Sequence, residues 1–314
     1  MKKLYLLKNI ECFQEKKYLK KNKTYFEGWY FKNTSNNLNI SFIPGINITK
    51  NKKESFIQII TKNTSYYINY DIKDFHYNHS PFFIKIANNF FSKDEIHIDI
   101  NDKNIKIFGT LKYSNNININ TNLFNPNIMG PFSYIPFMEC NHAVISMKNN
   151  INGTLTINNN KFMFNNDTGY IEKDWGCSFP KNYIWIQGNN FKNINASFML
   201  SIANIPFKIF SFKGFICSLI INNKEYRFAT YNNSKIIKYE IKDNNLDIVL
   251  KKGKYYLDIQ SKYNNKNKLK APVKGNMNKD IYESIDSEIK ITLMENNTII
   301  FEDISINAGL EIVK

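Results

Sequence analysis

A chain of 314 residues is long enough for two domains of ordinary size, each with a buried core of its own. Its formal charge of +15 rests on scattered lysines and a single arginine, Arg227, which disfavours the bidentate phosphate and base contacts of a nucleic-acid-binding protein. Cys12, Cys140, Cys177 and Cys217 lie far apart without a Cys-x-x-Cys pair, so neither a zinc knuckle nor a disulfide framework is indicated and a reducing cytoplasm fits.

The opening Met1-Lys2-Lys3-Leu4-Tyr5-Leu6-Leu7-Lys8 is basic and then apolar, but its apolar run stops at Lys8, too soon for a signal-peptide core. No later run approaches the roughly 20 apolar residues of a membrane span. The chain is therefore expected to be soluble, at most drawn weakly to an anionic membrane surface by its lysines. A solvated lysine-rich surface is the simpler account of the charge.

Strand patterns then recur along the chain. Ser55–Ile60 and Tyr66–Tyr70 are short β-prone runs, Ile96, Ile98 and Ile100 alternate with His97 and Asp99, and Ile105–Phe108 follows. Thr154–Ile157 leads into an Asn-rich turn before Phe162-Met163-Phe164, and Lys254–Ile259 repeats the pattern late in the chain. Asn, Lys and Gly clusters between these runs make good turns. Few segments carry a sustained helical stripe. The pattern predicts an all-β protein of two antiparallel barrel or sandwich domains packed together, residues 1–147 and 148–314, with a pocket where they meet. Trp29-Tyr30-Phe31 and Trp185-Ile186-Gln187 hint at an internal duplication.

Two segments concentrate the residue types that carry chemistry. In Gly169–Gln187, an extended Ile171–Trp175 would place Glu172 and Asp174 on one face and Ile171, Lys173 and Trp175 on the other. Two carboxyls on one face raise at least one pKa, and apolar surroundings raise it further, giving a neutral acid at physiological pH. The competing account is a strand end whose acids face water or pair with Lys173 or Lys181. The second segment, Met129–His142, is apolar and proline-marked before it closes on Glu139, Asn141 and His142, which suits a pocket rim with polar groups at its base. Cys140 with His142 and His76 with His79 are too sparse for a metal site, and no phosphate loop, nucleophile elbow or dinucleotide fingerprint is present.

Taken together, these segments resemble the tocopherol cyclase family in its shorter bacterial form. The resemblance rests on Phe26-Glu27-Gly28-Trp29-Tyr30-Phe31-Lys32, Ser41–Gly45, Met129–Ser146, Gly169–Gln187, Arg227–Tyr231, Lys270–Gly275 and Ala308–Glu311. Glu172-Lys173-Asp174-Trp175-Gly176 followed by Phe179-Pro180 and an aromatic strand is its most specific part. Tyr183 stands where relatives often have Trp, and some relatives carry an amide at the position of Asp174, which shifts the expected acid toward Glu172.

The resemblance implies a lipocalin-like two-domain β architecture, related to carotenoid hydratases, and closure of a prenylated hydroquinone to a chromanol without a cofactor. In that chemistry Glu172, with Asp174 beside it, protonates the prenyl alkene and the phenol oxygen captures the cation. Trp29, Tyr30, Trp175 and Trp185 would face the cation, Glu139 and His142 would orient the phenol, and Asn141, Tyr183 and Gln187 would complete the pocket. The expected partner is thus a hydrophobic small molecule, a prenylated quinol or terpenoid, bound by a single copy of the chain without a metal. Two other readings compete with this one: a non-catalytic carrier of a prenyl lipid, and a related terpenoid hydratase or cyclase.

Overall fold

The computed structural model describes residues 9–14, 24–136, 138–207, 210–263 and 267–314. The opening residues 1–8 and Phe137 of the proline-marked segment lie outside them. The described residues form antiparallel strands and three short 3-10 turns, with no α-helix among them. The all-β expectation therefore holds.

In chain order the first strands are β1 (Tyr25–Thr34), β2 (Asn39–Ile48), β3 (Lys53–Thr61), β4 (Ser65–Asp71), β5 (Phe75–His79), β6 (Phe82–Ile86), β7 (Asn89–Ser92), β8 (Glu95–Asn101) and β9 (Lys106–Ile117). The long hairpin β10 (Cys140–Ile157) and β11 (Asn160–Gly176) follows, and together these make an eleven-stranded sheet ordered β4-β3-β2-β1-β11-β10-β9-β8-β7-β6-β5. The second sheet starts with β12 (Tyr183–Gly188), β13 (Ala196–Phe207), β14 (Phe210–Ile221), β15 (Lys224–Ala229), β16 (Lys235–Lys242) and β17 (Asn245–Lys252). It ends with β18 (Tyr255–Lys262), β19 (Asn267–Val273), β20 (Asn276–Glu295) and β21 (Thr298–Val313). Its order is β15-β14-β13-β12-β21-β20-β18-β17-β16, with β19 paired to β20.

In each sheet the two end strands are consecutive in the chain. The turn Ile72–Asp74 joins β4 to β5, and Thr230–Asn232 joins β15 to β16. Links of three and five residues between opposite ends require each sheet to curl, and one of the two is a nearly closed barrel.

Local sequence explains both strands and turns. In β8, Ile96, Ile98 and Ile100 are buried while His97 is exposed, the period-two pattern of a strand with one dry face. Asn158-Asn159, Asn222-Asn223, Asp243-Asn244 and Asn296-Asn297 all have positive φ and each links two consecutive antiparallel strands. Asparagine tolerates the left-handed region that two-residue hairpins of matching twist require. The asparagine background of the sequence is thus partly architectural.

The chain divides into two compact units, one running to Phe179 and including Leu269–Asp280, the other comprising Pro180–Lys268 and Ile281–Lys314. This corrects the expected boundary at 147/148, which falls inside β10. The hairpin β10–β11 completes the first sheet, because β11 inserts between β10 and β1, and the chain cannot leave that unit before Gly176. The Glu-Lys-Asp-Trp-Gly segment consequently belongs to the first unit rather than the second. Residues 270–275 return to it as well: Gln58 exchanges hydrogen bonds with the main chain of Lys270 at 3.0 and 2.8 Å, and Phe179 N–H donates to Pro272 O at 3.0 Å.

The core of the first unit contains a buried ion pair. Lys173 Nζ lies 2.5 Å from Glu27 Oε1, both side chains having no exposed surface. Burial pushes the Lys173 ammonium down, opposed by Glu27. Tyr25 donates to the same carboxylate, as does Gln14 N–H, while Lys173 donates to Ile10 O and Cys12 O at 3.1 and 2.5 Å. Ile10, Cys12 and Phe13 are thereby fixed among the core side chains. Removing one partner of such a pair strands a buried charge. Lys173→Met should destabilise the first unit by about 3–5 kcal/mol in urea denaturation. The double variant Lys173→Met/Glu27→Gln should recover most of that loss.

Candidate functional site

Strand β11 is the centre of the site because its two neighbours in the first sheet are β1 and β10. In register, Glu172 faces Tyr30 and Val144, Lys173 faces Trp29 and Ala143, and Asp174 faces Gly28 and His142. Alternation sends Ile171, Lys173 and Trp175 into the apolar core and Tyr170, Glu172 and Asp174 to the other face, as the extended reading of the segment requires.

Lys173 pairs with Glu27 on the core side, away from the two carboxylates. His142 lies between them, its Nδ1 2.9 Å from Asp174 Oδ1 and its Nε2 3.4 Å from Glu172 Oε2. Tyr170 O–H donates to Glu172 Oε2 at 2.5 Å. The side chains of His142 and Glu172 are 12% and 5% exposed and that of Asp174 23%, so the cluster is largely screened from bulk water.

Burial alone would lower the pKa of His142, but Asp174 and Glu172 outweigh it and raise it to about 9. This shift favours the imidazolium at neutral pH. Burial and the Glu172 charge push Tyr170 well above its ordinary value, so it remains a neutral donor. Tyr170 is therefore the hydrogen-bond donor to Glu172, while His142 Nε2 lies 3.4 Å from the same oxygen without a hydrogen bond. The expectation set the two carboxyls against each other on one face; the structure keeps them on that face and puts His142 between them.

The remaining expected residues divide by strand face. Tyr30 belongs with the cluster; its hydroxyl accepts from Ser41 Oγ at 2.9 Å and its ring meets Tyr170 edge-on. Trp29 and Trp175 do not, because both point into the core, where Lys173 Nζ lies 5.1 and 4.8 Å from their ring centroids. Their cation is a lysine of the protein itself. Asn141 alternates away from His142 and donates to Trp175 O at 3.2 Å. Glu139 is exposed, and its carbonyl, not its carboxylate, binds Cys177 N–H at 2.8 Å.

Tyr183, Trp185 and Gln187 lie on β12 of the second unit. They are buried and turn away from the core side chains Ile184 and Ile186. Tyr183 O–H donates to Glu311 Oε2 at 2.6 Å, and Glu311 faces Glu283 across β20–β21. Trp185 lies over Gly309, where a Cβ would come within 2.7 Å of its ring. The sequence reading missed Tyr170, Glu283 and Glu311. Tyr170 was readable, since it stands two residues before Glu172 on the same strand face.

His142, Glu172 and Asp174 also offer ligand atoms within 4.8 Å of one another, close enough for a metal ion. His142 Nδ1 is taken up by Asp174 at 2.9 Å, whereas Nε2 lies 3.4 Å from Glu172 without a hydrogen bond.

With this geometry in place, the comparisons with known proteins identify the lineage. The tocopherol cyclase-like family model matches residues 113–313, which is more than half of the chain. The chain belongs to that family. Its match includes β10, β11 and the His142 cluster but stops short of β1.

No curated protein sequence matches the chain. Among solved structures, kievitone hydratase from Nectria haematococca is similar with a TM-score of 0.52 at 12% identity, over 93% of this chain and 89% of that one. An AttH-like protein of Nitrosomonas europaea gives 0.52 at 9% identity over 92% and 93%. CghA bound to Sch210972 gives 0.56 at 6% identity over 92% and 88%. At these identities the likeness establishes the shared lipocalin-like fold.

The shifted histidine has a measurable signature. Its folded-state pKa exceeds the unfolded value, so the stability it contributes is full below about pH 6.5 and is lost as pH rises through about 9. The full contribution corresponds to roughly 3 kcal/mol. Urea denaturation from pH 6 to 9.5 should show this loss relative to His142→Gln, and NMR should show the His142 ring titrating near 9. Asp174→Asn should move that titration downward.

Proposed function

We propose that the protein is an acid–base enzyme adding an O–H group across an alkene of a hydrophobic substrate, either by ring closure of a prenylated hydroquinone or by the corresponding hydration. The carrying observation is the placement of His142 between Asp174 and Glu172, all three within the residues that the family model matches. Such an addition consumes one proton at carbon and releases one from oxygen, so the site must lend a proton and recover it. A cluster of two carboxylates, one imidazolium and one phenol can do this without net change.

In this reading Asp174 holds His142 through Nδ1, and Nε2 passes its proton to Glu172, giving neutral imidazole and a carboxylic acid. Excluding water favours that exchange, because an ion pair loses more solvation than its neutral form. Glu172 then protonates the alkene as a new C–H bond forms, and the oxygen nucleophile closes on the tertiary cation. The proton released from that oxygen returns to the cluster. Tyr170 orients Glu172 as a positioning residue, and Tyr30 offers a ring face beside it. A simple carrier needs none of these proton-sharing groups.

Incubating the full chain with a panel of prenylated hydroquinones and terpenoid alkenes in D2O, followed by mass spectrometry, tests this directly. A product carrying one deuterium on carbon is expected. Recovery of every substrate unchanged, though bound, would establish a carrier instead. Glu172→Gln should reduce turnover at least 100-fold while leaving ligand binding within twofold, and His142→Gln should act similarly. Asp174→Asn should retain some activity, with its alkaline limb shifted down.

A further inference from the structure

A separate cleft of about 360 Å³ opens at one end of the second sheet, where β12 and β14 begin and β13 and β21 end. Its floor is apolar: Ile184, Ile202 and Ile312 belong to the core of the second unit, and Ile241 on β16 packs against that core. Its rim is polar and exposed, with Asn182, Asn204 and Lys213.

The cleft lies where the curled sheet fails to close. Among the described strands β16 is an end strand whose ladder partner is β17, and a side-chain contact reaches across to it from β14. In that contact Lys213 Nζ sits 3.9 Å from the centroid of the Tyr239 ring. An aliphatic chain could therefore reach core isoleucines without breaking a strand pair. The lining side chains include lysine and no aspartate or glutamate. A volume near the lower end of the ~300–1,000 Å³ range of ligand pockets suits one chain rather than a fused ring system.

We propose that this cleft binds a fatty carboxylate, its chain on the isoleucine floor and its carboxylate on the Lys213 ammonium at the Tyr239 face. The ammonium already lies at the rim over an aromatic face, and a carboxylate gives it a charge-assisted partner that the ring cannot. The site is independent of the His142 cluster and does not rest on the proposed reaction.

Isothermal titration of the full chain with dodecanoate, dodecan-1-ol and dodecyltrimethylammonium tests the assignment. Dodecanoate should bind one to one, at least tenfold more tightly than the ammonium compound. Lys213→Glu should weaken dodecanoate at least tenfold and leave dodecan-1-ol within twofold, and Ile241→Trp should abolish both by filling the floor. Lys161→Glu, an exposed charge reversal on the first unit, controls for the general field of a +15 chain and should change nothing. Equal weakening by Lys161→Glu and Lys213→Glu would overturn the proposal, as would equal affinity for carboxylate and ammonium, or no dodecanoate binding. Glu172→Gln should bind dodecanoate normally, so failure here and failure of the acid–base reading are separable.

Discussion

The burial of charge on both faces of one strand is the constraint around which the first unit is organised. β11 sends Lys173 into an apolar core and Glu172 and Asp174 to its other face, and neither charge type is tolerated in such surroundings without a partner. The partners come from opposite sides: β1 supplies Glu27 to the interior and β10 supplies His142 to the other face. Side chains alternate with period two, so a slip of one residue would deliver the lysine to the carboxylate face and the carboxylates to the core. Register, core stability and the His142 cluster are therefore one requirement met by three adjacent strands.

The two units repeat a plan. Each sheet begins with four strands, turns through a short 3-10 segment, and closes by inserting its last strand beside its first: β11 beside β1, and β21 beside β12. Tyr170 with Glu172 on the first unit is matched in kind by Tyr183 with Glu311 on the second, each a phenol donating to a buried glutamate at about the same distance, 2.5 and 2.6 Å. The tryptophans that suggested a duplication do lie on equivalent strands, yet Trp29 points into its core and Trp185 points away from its own. Topology was repeated while the side-chain faces diverged. Only the first unit places a histidine between carboxylates among the described residues.

Structures of about 10% identity share the lipocalin-like architecture, and the architecture is compatible with more than one chemistry. What supports the proposed proton transfer is this chain's own cluster, with His142 2.9 Å from Asp174 and 3.4 Å from Glu172.

Much of the architecture was legible in the residues. Alternating isoleucines marked strands such as β8, and paired asparagines marked hairpins because a two-residue turn needs positive φ. The common face of Glu172 and Asp174 also followed from strand periodicity, which is a local property. Which residues meet those side chains is not local. His142 reaches Asp174 across 32 residues and Lys173 reaches Ile10 across 163, distances over which periodicity carries no information. The domain boundary failed for the same reason, since only the insertion of β11 between β10 and β1 shows that the first unit is unfinished at residue 148. The sequence by itself determined strands, turns and the sidedness of β11; tertiary pairing decided that the acids share a histidine and that two tryptophans serve a buried lysine, because counter-charges are chosen by strand neighbours and not by neighbours in the chain.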